Sequence, residues 1–260
     1  KPHVLDDLEM LGFSGSLTLN VLPGTYEEQV TIGIIYGGSA DNTITLQSST
    51  GNAADVIWQS TRTSSANYIL KINDTDYLTI KNITFDASTS SSYGTALEVA
   101  GETNSLRIEG NVFNGYSNNG NNSNHYLVRS TYNTGTGMVF TGNTLTEGSI
   151  GLYIFDGAAD DGELLISNNT CNGQYRGIHV AFVDSVEISG NTIAGDHQGH
   201  GIYVEYCKPA IITGNKITEF TENQLYYGIF IYESDGNSSG EQTLVANNMI
   251  IAYLSANQHY

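Results

Sequence analysis

The chain of 260 residues carries 27 acidic and nine basic residues, which gives a net charge of −18 at pH 7. Such a charge repels phosphate backbones and anionic lipid, and it excludes a general nucleic-acid or membrane-surface role. The sequence has no apolar run near the roughly 20 residues that a membrane-spanning helix needs. Its two cysteines are too few for a disulfide framework. The 29 glycines, the three prolines and the abundant Asn, Ser and Thr indicate an all-β protein.

The first predicted element is a short helix. The segment VLDDLEMLG (4–12) has apolar residues at positions 4, 5, 8, 10 and 11 and ends at a glycine. The open end of a sheet has unpaired backbone groups and needs cover. We therefore expect residues 1–12 to cap the N-terminal end of the β structure that follows.

Most of the remaining chain repeats one motif, a Gly-Asn or Asn-Asn pair inside a run of β-branched residues. Its second Asn stands 22 to 33 residues from the next copy, a spacing typical of stacked supersecondary units. The residue before this Asn is always Gly or Asn, the two residues that most easily take positive φ. The copies are RIEGNVF, VFTGNTL, LISNNTC, EISGNTI, IITGNKI and LVANNMI, with the second Asn at 111, 143, 169, 191, 215 and 248.

Each copy predicts a strand, a one-residue left-handed bend and a second strand. We expect the Asn after the bend to point inward and to form a hydrogen-bonded ladder with its counterparts. An earlier copy, LTIKNITF, has Asn82 at the bend but Ile83 at the ladder position. A further strand with period-two alternation, such as GIHVAF or GIYVEY, completes each coil.

Three short strands per coil predict a right-handed parallel β-helix, a solenoid that forms one domain over residues 1–260. The variable spacing is assigned to loops between strands. The chain ends at MIIAYLSANQHY without a second cap, and an uncapped end exposes unpaired strands. We therefore expect the natural chain to continue beyond Tyr260.

The run from SGSLTLNVLPGTYEEQVTI to ANYILKINDTDYLTIKNITFDAS resembles the β-helix region of large secreted proteins of Bacteroidota, which commonly end in a type IX secretion sorting domain. The resemblance implies an extracellular or cell-surface location and implies little about chemistry. PGTYEE (23–28) is similar to the opening coil of pectin methylesterases, whose paired aspartates with Gln partners are absent downstream.

The third strand of each coil predicts an outward column of functional side chains. Period-two alternation places the aliphatic residues of GIHVAF, GIYVEY and GIFIYE in the core and the intervening residues outside. Exposed aromatic rings in a row can stack on sugar faces, while carboxylates and hydroxyls bind the rims. Glycines 151, 177, 201 and 228 beside them would leave room for a ligand. The predicted ligand-binding residues are Tyr153, His179, Tyr203, Glu205, Phe230 and Tyr232.

Two other sites remain open on the sequence. Lys71, Glu98 and Arg129 precede the aromatic residues in the same column and could serve a polysaccharide lyase, although a cross-strand charge ladder explains them more simply. DGAADDG (156–162) and GDHQGHG (195–201) resemble polygalacturonase motifs, but the position that aligns with His200 one coil earlier is Arg176. The three aspartates of the first motif are candidate calcium ligands: Asp156, Asp160 and Asp161.

The sequence thus favours a surface adhesin or stalk module that binds polysaccharide, a surface glycan or another surface protein. It predicts no cofactor beyond calcium at that acidic turn. Cleavage of acidic polysaccharide by a lyase or hydrolase is one alternative. A filament or spacer built by end-to-end stacking is the other. Cys171 occupies a core position, and the state of Cys207 in its turn is left open.

Overall fold

The computed structural model describes residues 3–117, 120–131, 135–156, 163–195, 199–219, 227–234 and 242–252. One α-helix, His3–Leu11, is followed by short strands that pair in parallel with the equivalent strands one coil away. Two short 3₁₀ segments lie at Ala53–Asp55 and Ser123–His125. The strands form three parallel sheets around one elongated core. The prediction of a right-handed parallel β-helix with a short N-terminal helix is therefore confirmed.

Within the described residues the first two sheets have nine strands each and the third has eight, and each of the first eight coils contributes one strand to each sheet. The strands of the first sheet are Leu17–Val21, Ile44–Ser48, Leu78–Lys81, Arg107–Glu109, Met138–Thr141, Leu164–Ser167, Val186–Ser189, Ala210–Thr213 and Leu244–Ala246. Those of the second are Gly24–Glu27, Val56–Gln59, Thr84–Asp86, Val112–Ser117, Thr144–Gly148, Thr170–Asn172, Thr192–Gly195, Lys216–Glu219 and Met249–Ala252. Those of the third are Val30–Ile32, Leu70–Asn73, Leu97–Ala100, Tyr126–Thr131, Ile150–Phe155, Arg176–Ala181, His200–Glu205 and Tyr227–Tyr232.

The N-terminal helix covers the first coil. Leu5 and Leu8 are buried in the common core, and the Glu9 carboxylate accepts a hydrogen bond of 2.6 Å from the backbone N–H of Gly33. The predicted cap over residues 1–12 thus corresponds to a helix at His3–Leu11. No helix in the described part of the chain is long and apolar enough to cross a lipid bilayer.

The bend between the first and second sheets is left-handed, as predicted. Gly110, Gly142, Gly190 and Gly214 have φ of 61° to 66°. Asn82, Asn168 and Asn247 have φ of 55° to 56°. A side chain with a Cβ is strained in this region unless it is Asn or Asp, which explains why these positions hold only Gly or Asn.

The Asn that follows each bend forms the predicted ladder. Asn191 is fully buried, and its side-chain amide donates to Ile166 O at 3.0 Å in the preceding coil and to Asn215 Oδ1 at 2.9 Å in the next coil. Its Oδ1 accepts from the backbone N–H of Asn169 at 2.9 Å. The ladder begins where the N–H of Ile83 donates to Asn111 Oδ1. It continues with the same bonds through Asn111, Asn143, Asn169, Asn191, Asn215 and Asn248.

Candidate functional site

The outer side of the third sheet carries the residues that the alternation pattern assigns to it. Backbone register aligns Lys71 with Glu98, Glu98 with Arg129, and Arg129 with Tyr153. It continues this column through His179, Tyr203 and Phe230. The predicted column therefore exists as one row of side chains that runs parallel to the helix axis.

The aromatic members of this row are in contact with one another. The ring centroids of Tyr153 and His179 lie 5.0 Å apart in an edge-to-face arrangement. His179 and Tyr203 stack at 4.5 Å, and Tyr203 meets Phe230 edge-to-face at 5.2 Å. These separations fall in the range in which aromatic pairs stabilise each other beyond their buried area. We call these four rings the central row.

A second row of rings lies where the strands of the third sheet end: Phe155 and Tyr232 are the last residues of their strands, and Phe182 and Tyr206 directly follow theirs. Phe182 meets Phe155 edge-to-face at 5.3 Å and stacks on Tyr206 at 4.5 Å, and Tyr206 meets Tyr232 edge-to-face at 5.5 Å. Phe182 and Tyr206 have φ of 58° and 55°, a region that is uncommon and strained for bulky residues. We call this set the edge row. It joins the central row through Tyr153 and Phe155, whose centroids are 6.4 Å apart.

Three more rings flank the central row on its other side. Tyr126 lies 4.7 Å from Tyr153, and His200 lies 5.0 Å from Tyr203 and 5.4 Å from Tyr227. Together with the central and edge rows, these rings form what we call the aromatic face. Its most exposed rings are Phe182, Tyr227 and Tyr232, at 39%, 47% and 43%.

A hydrogen-bonded network lies among these rings. The guanidinium of Arg176 donates from Nη1 to His179 Nδ1 at 3.2 Å, and His179 Nε2 donates to Glu205 Oε1 at 3.0 Å. The hydroxyl of Tyr203 donates to Glu205 Oε2 at 2.7 Å. An arginine can only donate, so its bond to Nδ1 fixes the imidazole proton on Nε2.

His179 differs from the expectation that the whole row points into solvent. It faces outward from the coil, yet it is only 6% exposed because Tyr153, Tyr203, Arg176 and Glu205 surround it. Burial lowers the pKa of His179, against the opposing effect of Glu205. The imidazole is therefore neutral and supports the surrounding side chains rather than presenting a free ring.

The same contacts shift the pKa values of the neighbouring groups. The hydrogen bond from His179 lowers the pKa of Glu205, which keeps this carboxylate ionised. Burial, aided by the bond to Glu205, raises the pKa of Tyr203 to about 12. Burial, together with the charge of Arg176, lowers the pKa of His200 to about 4. At neutral pH the network thus contains one cation, one anion and neutral rings.

The N-terminal part of the column consists of charged residues. Lys71 Nζ lies 2.7 Å from Glu98 Oε1, so these two neighbours form the expected cross-strand pair. Arg129, the next residue along, makes no hydrogen bond or ion pair with the described residues, and its Nε is buried without a partner. Among the described residues, the predicted trio therefore consists of one ion pair and one cation without a hydrogen-bond or ion-pair partner.

The expectation that the glycines beside the aromatic face leave room for a ligand is wrong. A Cβ on Gly177 would lie 2.6 Å from Ile193 Cγ2 and 2.8 Å from Gly201 O, and one on Gly151 would lie 2.6 Å from Gly177 O. The room that these glycines leave is thus filled by core side chains and neighbouring backbone. They allow the strand to pass close to the core, and they do not open a path for a ligand.

The candidate metal ligands do not assemble into a site among the described residues. Asp156 is only 3% exposed, while Asp160 and Asp161 lie outside the residues that the structure describes. Over the described ranges, no group of three His, Cys, Asp or Glu side chains is placed to hold a metal ion. Cys171 is a buried core residue, as predicted, and Cys207 is buried and free.

Sequence reasoning missed several members of the aromatic face. Arg176 and His200 are the first residues of their strands, one position before the glycine of each repeated motif, and the alignment of these two positions in successive coils was the available signal. Phe182 and Tyr206 end the motifs GIHVAF and GIYVEY and stand one residue beyond the period-two positions. Tyr126 and Tyr227 begin strands whose pairing depends on the loop lengths.

Residues 93–259, more than half of the chain, match the family model described as "Periplasmic copper-binding protein (NosD)". The chain belongs to the NosD family. The match includes every ring of the aromatic face, because those rings lie between residues 126 and 232. No curated protein matches the NosD-family chain.

Solved structures similar to this NosD-family chain include a pectin methylesterase from Aspergillus niger, at 18% identity and a TM-score of 0.50, with 97% of this chain and 82% of that chain covered. An alginate lyase from Paenibacillus sp. is similar at 13% identity and a TM-score of 0.45, with 97% and 96% covered. At this level of identity the likeness to the esterase shows the shared β-helix fold.

The residues of this NosD-family chain do not fit a copper centre in its described part. Imidazole and thiolate are the protein ligands that copper favours. Both nitrogens of His179 are engaged by Arg176 and Glu205. Burial raises the pKa of both Cys171 and Cys207 to about 12, which disfavours the thiolate.

Proposed function

We propose that this NosD-family β-helix is the glycan-binding module of an exported protein and that the aromatic face is its binding site. The observation that carries the proposal is the continuity of the face. Two rows of rings run along the helix axis, and Phe182, Tyr227 and Tyr232 are at least 39% exposed. Exposed apolar groups that gather on one face mark interaction sites more often than scattered ones do.

The chemistry of the face suits a saccharide. Aromatic rings offer large apolar contact areas, and tyrosines add hydroxyls that can bond to sugar hydroxyls. Neighbouring strands are about 4.8 Å apart, so an extended saccharide along the axis would contact rings from several coils. The edge-to-face contacts turn adjacent rings into different orientations, at 89° for Tyr206 and Tyr232. The face therefore offers both ring planes and ring edges to a ligand.

The backbone at the edge row gives independent support. Phe182 and Tyr206 take positive φ at a turn position that is Asp74, Gly101 and Glu233 in other coils, all of which also have positive φ. A left-handed conformation costs a non-glycine residue roughly 1–2 kcal/mol. Strained positions of this kind cluster at functional sites. The edge row retains two bulky rings where glycine would relieve the strain, which favours a role for the rings themselves.

Cleavage of polysaccharide is the second candidate, because the network of Arg176, His179, Tyr203 and Glu205 unites groups that could serve acid–base chemistry. A catalytic acid or base works best with a pKa near the operating pH. Here the pKa of Tyr203 is raised to about 12 and that of Glu205 is lowered, so both move away from neutrality. These directions favour binding over catalysis.

An exported location accords with the family description as periplasmic and with the resemblance to secreted β-helix repeats. Copper binding is not carried over to this chain, because its described residues do not fit that metal. An adhesin or stalk that uses the face on a surface glycan is the form of the proposal that the sequence favours.

Binding to a panel of soluble polysaccharides, both neutral and acidic, tests the proposal. We expect Tyr227→Ala and Tyr232→Ala each to weaken binding by roughly five- to ten-fold, since a stacking ring contributes about 1–1.5 kcal/mol. Tyr36→Ala is the matched control, because Tyr36 is 68% exposed and lies outside the aromatic face. Equal losses in all three variants, or no binding to any polymer, would refute the proposal. Release of unsaturated or reducing sugar in the same samples would favour the enzyme instead.

A further inference from the structure

The outer side of the third sheet has an unusual charge balance for this protein. The whole chain has 27 acidic and nine basic residues. The strands of the third sheet contain three of those basic residues, Lys71, Arg129 and Arg176, and only two acidic ones, Glu98 and Glu205. The strands of the third sheet therefore carry one more basic than acidic residue, although the molecule as a whole is strongly negative. At physiological salt, acidic residues more than about 8 Å away are largely screened from these strands by ions in solution.

The partners of these charges differ. Lys71 pairs with Glu98 at 2.7 Å. Arg176 donates to His179 and lies over the ring of Tyr203, with its Cζ 4.8 Å from the ring centroid. Arg129 has no hydrogen-bond acceptor and no ion-pair partner among the described residues, and its buried Nε donor is unused. The Nε of Arg176 is likewise buried without a partner, so Arg129 differs in that no described residue bonds to or pairs with any part of its guanidinium.

The position of Arg129 points to a ligand at the aromatic face. Its register neighbours are Glu98, which is already paired with Lys71, and Tyr153, the first ring of the central row. A buried donor left without a partner is costly, and such groups in a native structure call for an explanation. A guanidinium presents its donors as a planar fork that matches two oxygens of a carboxylate or of another oxyanion.

We propose that the preferred ligand of the aromatic face is an anionic polysaccharide and that Arg129 binds an acidic group of one of its sugars. The inference rests on the proposed glycan-binding function and names the class of glycan. The sugar rings contact the central row from Tyr153 onward, and the acidic group accepts hydrogen bonds from the Nη groups at the outer end of the Arg129 guanidinium. Carboxylate and sulfate share this oxyanion chemistry, so uronic acids and sulfated sugars are the two sources to distinguish.

The test measures binding of three polymers to the whole chain by titration calorimetry: polygalacturonate, a carrageenan and dextran. We expect Arg129→Gln to weaken binding of the acidic polymer by roughly ten-fold or more, as for a lost charge-assisted hydrogen bond. Dextran binding should not change. Arg129→Lys keeps the charge but loses the fork and should give an intermediate affinity. The stronger of the two acidic polymers identifies carboxylate or sulfate as the recognised group.

Arg107→Gln is the matched control. Arg107 is an arginine on the outer side of the first sheet, and it pairs with Glu109 at 2.6 Å. Its replacement should leave all three affinities unchanged. If Arg129→Gln leaves acidic-polymer binding unchanged, or weakens dextran to the same extent, the inference is wrong while glycan binding stands. If the native chain binds none of the three polymers, the proposed function itself fails. Near-ultraviolet circular dichroism of each variant shows that the fold is retained.

Discussion

Replacing Asn191 by Leu tests the asparagine ladder. Asn191 is fully buried in the middle of the ladder. Its side chain accepts from the backbone N–H of Asn169 at 2.9 Å and donates to the backbone carbonyl of Ile166 at 3.0 Å. Leucine is similar in size but can make neither bond. The substitution therefore leaves one backbone N–H and one backbone carbonyl without this partner, in a place that water does not reach.

The expected cost follows from those two groups. A buried polar group that loses its partner costs about 1–3 kcal/mol, so Asn191→Leu should lower the free energy of unfolding by roughly 2–6 kcal/mol. The last rung offers a graded comparison. Asn248 donates to Ile212 O at 2.8 Å and accepts from Asn215 N at 2.9 Å, but it is partly exposed. Water can replace the lost bonds there, so Asn248→Leu should cost less.

Urea denaturation followed by far-ultraviolet circular dichroism measures these changes. Asn172→Leu is the control, because Asn172 is exposed on the outer side of the second sheet. An exposed substitution of this kind should change stability by no more than about 0.5 kcal/mol. If Asn191→Leu is no more destabilising than Asn172→Leu, the ladder does not hold the coils together and our account of the repeat is wrong.

Two further predictions concern the core and the network. Gly177→Ala should destabilise the protein by about 1–3 kcal/mol in the same assay, because the added Cβ would lie 2.6 Å from Ile193 Cγ2. In an Ile193→Ala background the added cost of Gly177→Ala should be smaller, and an added cost that stays the same would contradict the assigned contact. Burial lowers the pKa of His200 from 6.5 to about 4, so the unfolded chain binds a proton that the folded chain does not. Stability should therefore fall as pH decreases from 6.5 towards 4. Glu205, whose pKa is also lowered, adds a loss in the acidic part of this range. Burial also lowers the pKa of His179 and of His125, which add losses of the same sign. His200→Gln should therefore reduce the fall in melting temperature between pH 6.5 and 5 without removing it, and an unchanged profile would refute the assignment.

The ladder could be read from the sequence because its cause is local. The left-handed bend admits only residues such as Gly190 and Asn168 at one position, and the next residue must satisfy buried backbone groups. Both requirements restrict the residue types at two neighbouring positions, and the restriction is visible in the repeated Gly-Asn and Asn-Asn pairs. Inward and outward positions of the third strand follow from period two alone, so the row from Tyr153 to Phe230 was predictable as well.

The enclosure of His179 could not be read in the same way. It depends on Arg176 in the same strand and on Glu205 one coil later, and both contacts depend on side-chain conformations that period two does not specify. The edge row was hidden for another reason. Sequence preference assigns a left-handed bend to Gly, Asn or Asp, and Phe182 and Tyr206 violate that preference. The same preference fails at Tyr77, which has φ of 53° and lies outside the aromatic face.

The asparagine ladder also makes the resistance of the molecule to force depend on the direction of that force. Asn191 bonds to the coil before it through Ile166 and to the coil after it through Asn215, so every rung ties three coils together. A force that pulls the last strand away along the axis breaks one rung at a time, and each break exposes the next rung to the load. A force across the axis loads many rungs at once. A rod built in this way resists bending and shear far better than it resists peeling from a free end.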